Sequence, residues 1–156
     1  MIYRFARFSY AITEISRCWH RIASEEMVHF GLKGPYSVYF TLLYRYPNGI
    51  SAAQLAELSG KDKADVSRAM SILQEKGLIS RDSENHRAYR AAIRLTPLGQ
   101  ELAQKINEKA QLAVEQASVG LSNEKRAIFY EALELITANL QTLSKEGLST
   151  GNESPM

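Results

Sequence analysis

Cysteine is nearly absent from this 156-residue chain. The single Cys18 can close no internal disulfide, and without a Cys-x-x-Cys spacing there is neither a structural zinc motif nor a dithiol redox motif. Histidine is also scarce. Glu25 and His29 lie one helical turn apart, as metal ligands can, but no other His is near in sequence, and a solvated pair with no metal is expected. Long apolar runs are missing too: in "MIYRFARFSYAITEISRCWHRI" the residues Arg4, Arg7, Glu14 and Arg17 interrupt any signal-peptide core or membrane span. A cytoplasmic protein without membrane contact is expected. Acid pairs, nucleophile-plus-base spacings and phosphate loops do not stand out, so the chain is read as having no catalytic residue and no cofactor.

Nor does charge of one sign dominate, with 19 Lys+Arg against 17 Asp+Glu. Its distribution is uneven. Residues 61–94 carry eight Lys/Arg against five Asp/Glu, a net +3, whereas residues 95–156 carry five against eight, a net −3. The length suits one domain with a genuine core.

What the chain does have is helical periodicity at both ends. Phe5, Phe8, Ile12, Ile15, Trp19 and Ile22 recur at spacings of three and four, a narrow stripe suited to a partner helix. Phe129, Leu133, Ile136, Leu140 and Leu143 repeat the pattern after Ser122, a candidate N-cap. Either stripe can serve its own core or a dimer interface. Between them, "GPYSVYFTLLYRYPNG" reads as a short buried helix starting near Pro35 and stopping before Pro47. "LISRDSENHRAYRAAIRL" reads as two short strands joined by a polar loop over residues 83–86. Thr96 then caps a helix with Pro97 in its first turn and Leu98, Leu102, Ile106, Ala110, Ala113 and Ala117 as its apolar line. A flexible tail, 147–156, is expected to follow.

The stretch "SAAQLAELSGKDKADVSRAMSILQEKGLI" starts two helices in quick succession. Ser51 with Gln54 is a capping-box pair, and Asp62 with Asp65 marks a second start. In the second helix Val66, Ala69, Met70 and Leu73 share a face, leaving Lys63, Ala64, Ser67 and Arg68 outward. A supported helix with a small, polar and cationic N-terminal face suits insertion into a DNA major groove. Arg68 can read a guanine edge, lysines can meet phosphate, and Ala64 and Ser67 let the backbone approach. The following hairpin adds Arg81, His86, Arg87 and Arg90 as a candidate wing.

The order helix, helix, Gly-Leu-Ile, basic hairpin, Leu-Thr-x-x-Gly resembles the MarR family of winged helix-turn-helix transcriptional regulators. The resemblance is carried by "QLAELSG", "KDKADVSRAMSILQEKGLISR" and "RLTPLGQEL", with Gly60, Asp62, Val66, Arg68, Leu73, Gly77, Leu78, Arg81, Leu95, Thr96 and Gly99 in the family pattern. It implies a mainly α (α+β) fold: a winged helix-turn-helix lobe at 34–96 with long dimerisation helices at 1–33 and 97–146, one domain over 1–146. It departs at the wing. Where the family often has Asp-x-Arg, this chain has Asn85-His86-Arg87, so Arg87 is the implied wing arginine and Asn85 offers only a neutral hydrogen bond.

The resemblance further implies a homodimer joined through its terminal helices, binding a palindromic operator as a ligand-responsive repressor. The DNA-contact set expected is Ser51, Gln54, Lys61, Lys63, Ala64, Ser67, Arg68, Arg81, His86, Arg87 and Arg90. Family members often form an effector pocket between the dimer helices and the DNA-binding lobe; Trp19, Tyr36 and Tyr39 are its candidates, for a small aromatic or lipophilic ligand, although such aromatics serve equally well as core. Two alternatives stay open: oxidant sensing through Cys18, and a winged helix that binds protein rather than DNA.

Overall fold

The computed structural model of the protein describes residues 2–82 and 91–148. The wing tip, with His86, Arg87 and Arg90, and the tail from 149 onward lie outside the described residues. The chain divides into two compact units, Met1–Val114 and Glu115–Met156.

The first unit opens with α1 (Ile2–His29). Its N-terminal stripe is uncovered, with Phe5 73% and Ile15 63% exposed, while Met27 at its far end is fully buried. The α-helix predicted near Pro35 starts two residues after it, at Ser37. Gly34–Tyr36 form a 3₁₀ turn and α2 runs over Ser37–Arg45. Gly34 is pressed against α1, where a Cβ would overlap the Ser24 hydroxyl. α2 then buries Tyr39, Phe40 and Leu43.

The two helix starts are both present. Ser51 caps α3 (Ala52–Ser59) with a complete capping box: the Gln54 N–H donates to Ser51 Oγ at 3.2 Å and the Ser51 N–H to Gln54 Oε1 at 3.0 Å. Gly60, at φ +65°, ends that helix in the left-handed conformation. Asp62 caps α4 (Lys63–Glu75) by accepting from the Ala64 N–H at 3.1 Å. Val66, Ala69, Met70 and Leu73 of α4 are fully buried.

Strands β1 (Ile79–Arg81) and β2 (Ile93–Leu95) pair antiparallel, with Ile79 opposite Leu95. A third backbone segment joins them, as Ile50 and Ile93 exchange N–H···O bonds of 3.2 and 2.8 Å. The sequence gives no sign of this bridge, because Ile50 stands alone between a turn and a cap. Thr96 leads into α5 (Pro97–Ala117), accepting from the Gly99 N–H at 3.1 Å and donating to the Gly77 carbonyl at 2.6 Å. The buried line of α5 is Gly99, Leu102, Ala103 and Ile106. Of the predicted line, Leu98 is exposed, Ala110 and Ala113 are half-buried and Ala117 is exposed. The seam is rotated because Gly99 has to face the Leu78 carbonyl.

The second unit contains α6 (Asn123–Glu146), capped by Ser122, which accepts from the Lys125 N–H at 3.3 Å. No residue of α6 is buried, and Phe129, Leu133, Leu140 and Leu143 are all exposed.

A Cβ at position 99 would overlap the Leu78 carbonyl oxygen. Gly→Ala inside a helix ordinarily stabilises by about 1 kcal/mol. Here the sign should reverse: Gly99→Ala is expected to lower unfolding free energy by about 1–3 kcal/mol, the range for overpacking. Urea denaturation measures it, and an unchanged or raised midpoint would show that the approach is not constraining.

Candidate nucleic-acid interface

Helix α4 is two-sided by construction. Its buried face is fixed by four apolar residues, three of which (Val66, Met70 and Leu73) contribute about 1.5–3 kcal/mol each by leaving water. The opposite face presents Lys63, Ala64, Ser67 and Arg68, all exposed. Small side chains at 64 and 67 leave the helix backbone accessible there, between cationic neighbours. Arg68 is held by an ion pair with Asp65, one turn back on the same face. Asp65 sits in the first turn of α4, where the helix dipole favours a carboxylate.

Of the other predicted contact residues, two have local structural work. The Ser51 hydroxyl and Gln54 side chain are engaged in the capping box. Lys61 is exposed in the turn between α3 and α4, and the Arg81 side chain is half-buried at the end of β1. The root of the wing carries a charged contact that the sequence reading did not find. Arg94 of β2 donates through Nε to the Asn48 carbonyl at 2.9 Å and pairs with Asp82 at 2.6 Å. Asp82 and Arg94 are twelve residues apart, so only the strand register brings them together.

The three aromatic candidates do not share one cavity. Trp19 lines an apolar cleft of about 200 Å³ with Ile22 and Ala23 of α1, Val38 of α2 and Ile106 of α5. At its edge Lys109 bridges Glu25 at 2.8 Å and Glu26 at 3.2 Å, tying α5 to α1. The hydrogen bond to Lys109 holds the Glu25 carboxyl below the usual carboxylate range, and Glu25 in turn raises the Lys109 ammonium. Glu25 is thus engaged by a lysine. Tyr36 and Tyr39 line a second cleft, of about 260 Å³, together with Lys33, Lys61, Asp65 and Arg68. Burial, with the Asp65 carboxylate adding to it, pushes the Tyr39 hydroxyl above its ordinary pKa. Cys18 is exposed, with an Arg17 guanidinium nitrogen 4.0 Å from its sulfur. Among the described residues no helix is long and apolar enough to cross a membrane.

A capped support helix, a two-sided second helix and a strand pair returning through Thr96 define a winged helix-turn-helix. Residues 30–88, which span that lobe up to the wing, match the MarR family model. Solved structures repeat the fold over most of the chain. A MarR family transcriptional regulator from Listeria monocytogenes, complexed with a 26mer DNA, is 20% identical, with a TM-score of 0.76 over 92% of this chain and 97% of that one. The transcriptional regulator SlyA is 25% identical, with a TM-score of 0.73 over 85% of this chain and 93% of that one. A MarR regulator from Methanosarcina mazei Go1 is 20% identical, with a TM-score of 0.76 over 87% and 90%. No curated protein matches the chain. The chain is thus similar to the MarR family of winged helix-turn-helix transcriptional regulators over its central residues 30–88, and it shares their fold.

The Arg68–Asp65 pair yields a prediction. Asp65→Ala removes a negative charge from the cationic face and frees the guanidinium, so binding to random duplex should tighten. The ratio of specific to random binding should narrow, by no more than the ~1–3 kcal/mol carried by one base contact. Fluorescence anisotropy on a selected site and on random duplex measures both; an unchanged ratio would mean that Asp65 serves only the helix terminus.

Proposed function

We propose that the chain is a DNA-binding transcriptional regulator of the MarR family that works as a homodimer on an imperfect palindrome and is released by a small apolar or aromatic effector. The observation that carries the reading is the two-sided α4: an anchored helix whose exposed N-terminal half offers Ala64, Ser67 and Arg68. Arg68 reads a base edge, while Lys61, Lys63 and the wing residues His86, Arg87 and Arg90 meet the backbone or the minor groove. Ser51 and Gln54, which cap the support helix, and Arg81, at the end of β1, complete the proposed DNA-contact set. The uncovered stripes of α1 and α6 support self-association, because continuous apolar edges of this length are rarely left to water. The cleft beside Trp19 is apolar enough for a small lipophilic effector.

Two-fold symmetry places half-site centres about 10 base pairs apart. Inserting about five base pairs between the halves of a site recovered from a random duplex pool should sharply weaken binding, since the half-sites then face opposite sides. Unchanged affinity, or a monomer in sedimentation equilibrium at micromolar concentration, would reject the symmetric dimer.

Arg68 and Arg87 separate in one titration series. Arg68→Ala should cost about 1–3 kcal/mol on the selected site and much less on random duplex. Arg87→Ala should weaken both and reduce the slope of log K against log salt by roughly 0.9. An Arg87 variant that binds every duplex as the parent does would show that the hairpin is not a DNA-contacting wing.

A further inference from the structure

The cleft that holds Tyr36 and Tyr39 also holds Lys61 and Arg68, so residues expected to serve an effector and residues expected to serve DNA share one surface. Lys33, which no motif marks, lines it as well. Resting on the DNA-binding reading, we infer that Lys33 and Tyr36 belong to the DNA interface, gripping a backbone phosphate beside the recognition helix.

Charge argues first. Three cations, Lys33, Lys61 and Arg68, line the cleft against one carboxylate, Asp65, which Arg68 already holds. Among the described residues neither the Lys33 nor the Lys61 ammonium has an ion-pair partner, so the cleft carries two unneutralised cations. A phosphate suits those two cations, while Arg68, already paired with Asp65, is left for bases.

Rigidity argues second. The connection bearing both residues is restrained: Gly34 is packed on Ser24 of α1, and the Tyr36 N–H closes the turn on the Lys33 carbonyl at 3.0 Å. The Tyr36 ring lies 5.9 Å from that of buried Tyr39, tilted by 49°. A half-buried tyrosine on such a base loses little freedom when its hydroxyl donates to a phosphate. Groove geometry argues third. A helix seated in the major groove, about 12 Å wide, is flanked by sugar-phosphate strands, so an element beside its N-terminal half meets backbone rather than bases. A lysine point charge with a hydroxyl donor fits that role.

The test compares Lys33→Gln, Tyr36→Phe and Arg68→Ala with the parent protein in anisotropy titrations on the selected site and on random duplex, from low to high salt. Lys33→Gln should bind both duplexes about eightfold more weakly at 0.1 M salt, with the salt slope reduced by roughly 0.9. Tyr36→Phe should weaken both with the slope unchanged, because it removes a neutral donor. Thermal midpoints equal to the parent's keep misfolding out of the comparison. If Arg68→Ala loses specificity while Lys33→Gln and Tyr36→Phe bind as the parent does at every salt, the inference is overturned and the DNA reading stands. A parent protein that binds no duplex overturns both. A Lys33→Gln variant that binds DNA normally but no longer takes up benzoate in a calorimetric titration would make the cleft an effector site instead.

Discussion

The geometry of the lobe depends on one crowded point, the carbonyl of Leu78. It accepts the Thr96 N–H at 3.1 Å, and Gly99 presses against it from the first turn of α5. One residue earlier, the Gly77 carbonyl takes the Thr96 hydroxyl. The end of α4, the root of the strand pair and the start of α5 are thereby closed onto each other. Because the Leu78 N–H itself bonds back to Leu73, the clasp continues directly into the last turn of the recognition helix. That helix is consequently positioned from both ends, by Asp62 at its start and by the clasp at its finish. Such fixation suits the proposed meeting of α4 with a rigid duplex, since little order would be left to impose on binding.

Sidedness is the second constraint, and it explains which features the sequence displays. Ser51 with Gln54, Gly60, Asp62 and the apolar face of α4 are readable because each depends on residues within one or two helical turns. The Ile50–Ile93 bridge, the Asp82–Arg94 pair and the cleft joining Lys33 to Arg68 depend on register and packing between distant segments. No local pattern encodes them. The seam of α5 shows the boundary most clearly. Helical period alone selected Leu98, whereas the Gly99 approach turns the helix so that Ala103 is inside and Leu98 outside.

The charged contacts contribute orientation more than stability. Arg68–Asp65 and Arg94–Asp82 are both substantially exposed, and exposed pairs of this kind stabilise a fold by at most about 1 kcal/mol. Their effect lies in restraint. Arg68 is kept on the outward face of α4, where a free guanidinium would sample many rotamers, and Arg94 ties the wing root to the backbone at Asn48. The Lys109 bridge to Glu25 and Glu26 does the same between α5 and α1.

Helix α2 is the element common to both clefts. Val38 and Thr41, three apart, line the apolar cleft beside Trp19; Tyr39, with Tyr36 three residues before it, lines the cationic cleft beside Arg68. These pairs lie on different sides of one short helical segment, a consequence of its 3.6-residue period. The core face between them, Phe40 and Leu43, is fully packed, so the segment has no slack to deform internally. Val38 and Tyr39 are consecutive residues, so the effector cleft and the phosphate grip proposed above share one packed helical segment.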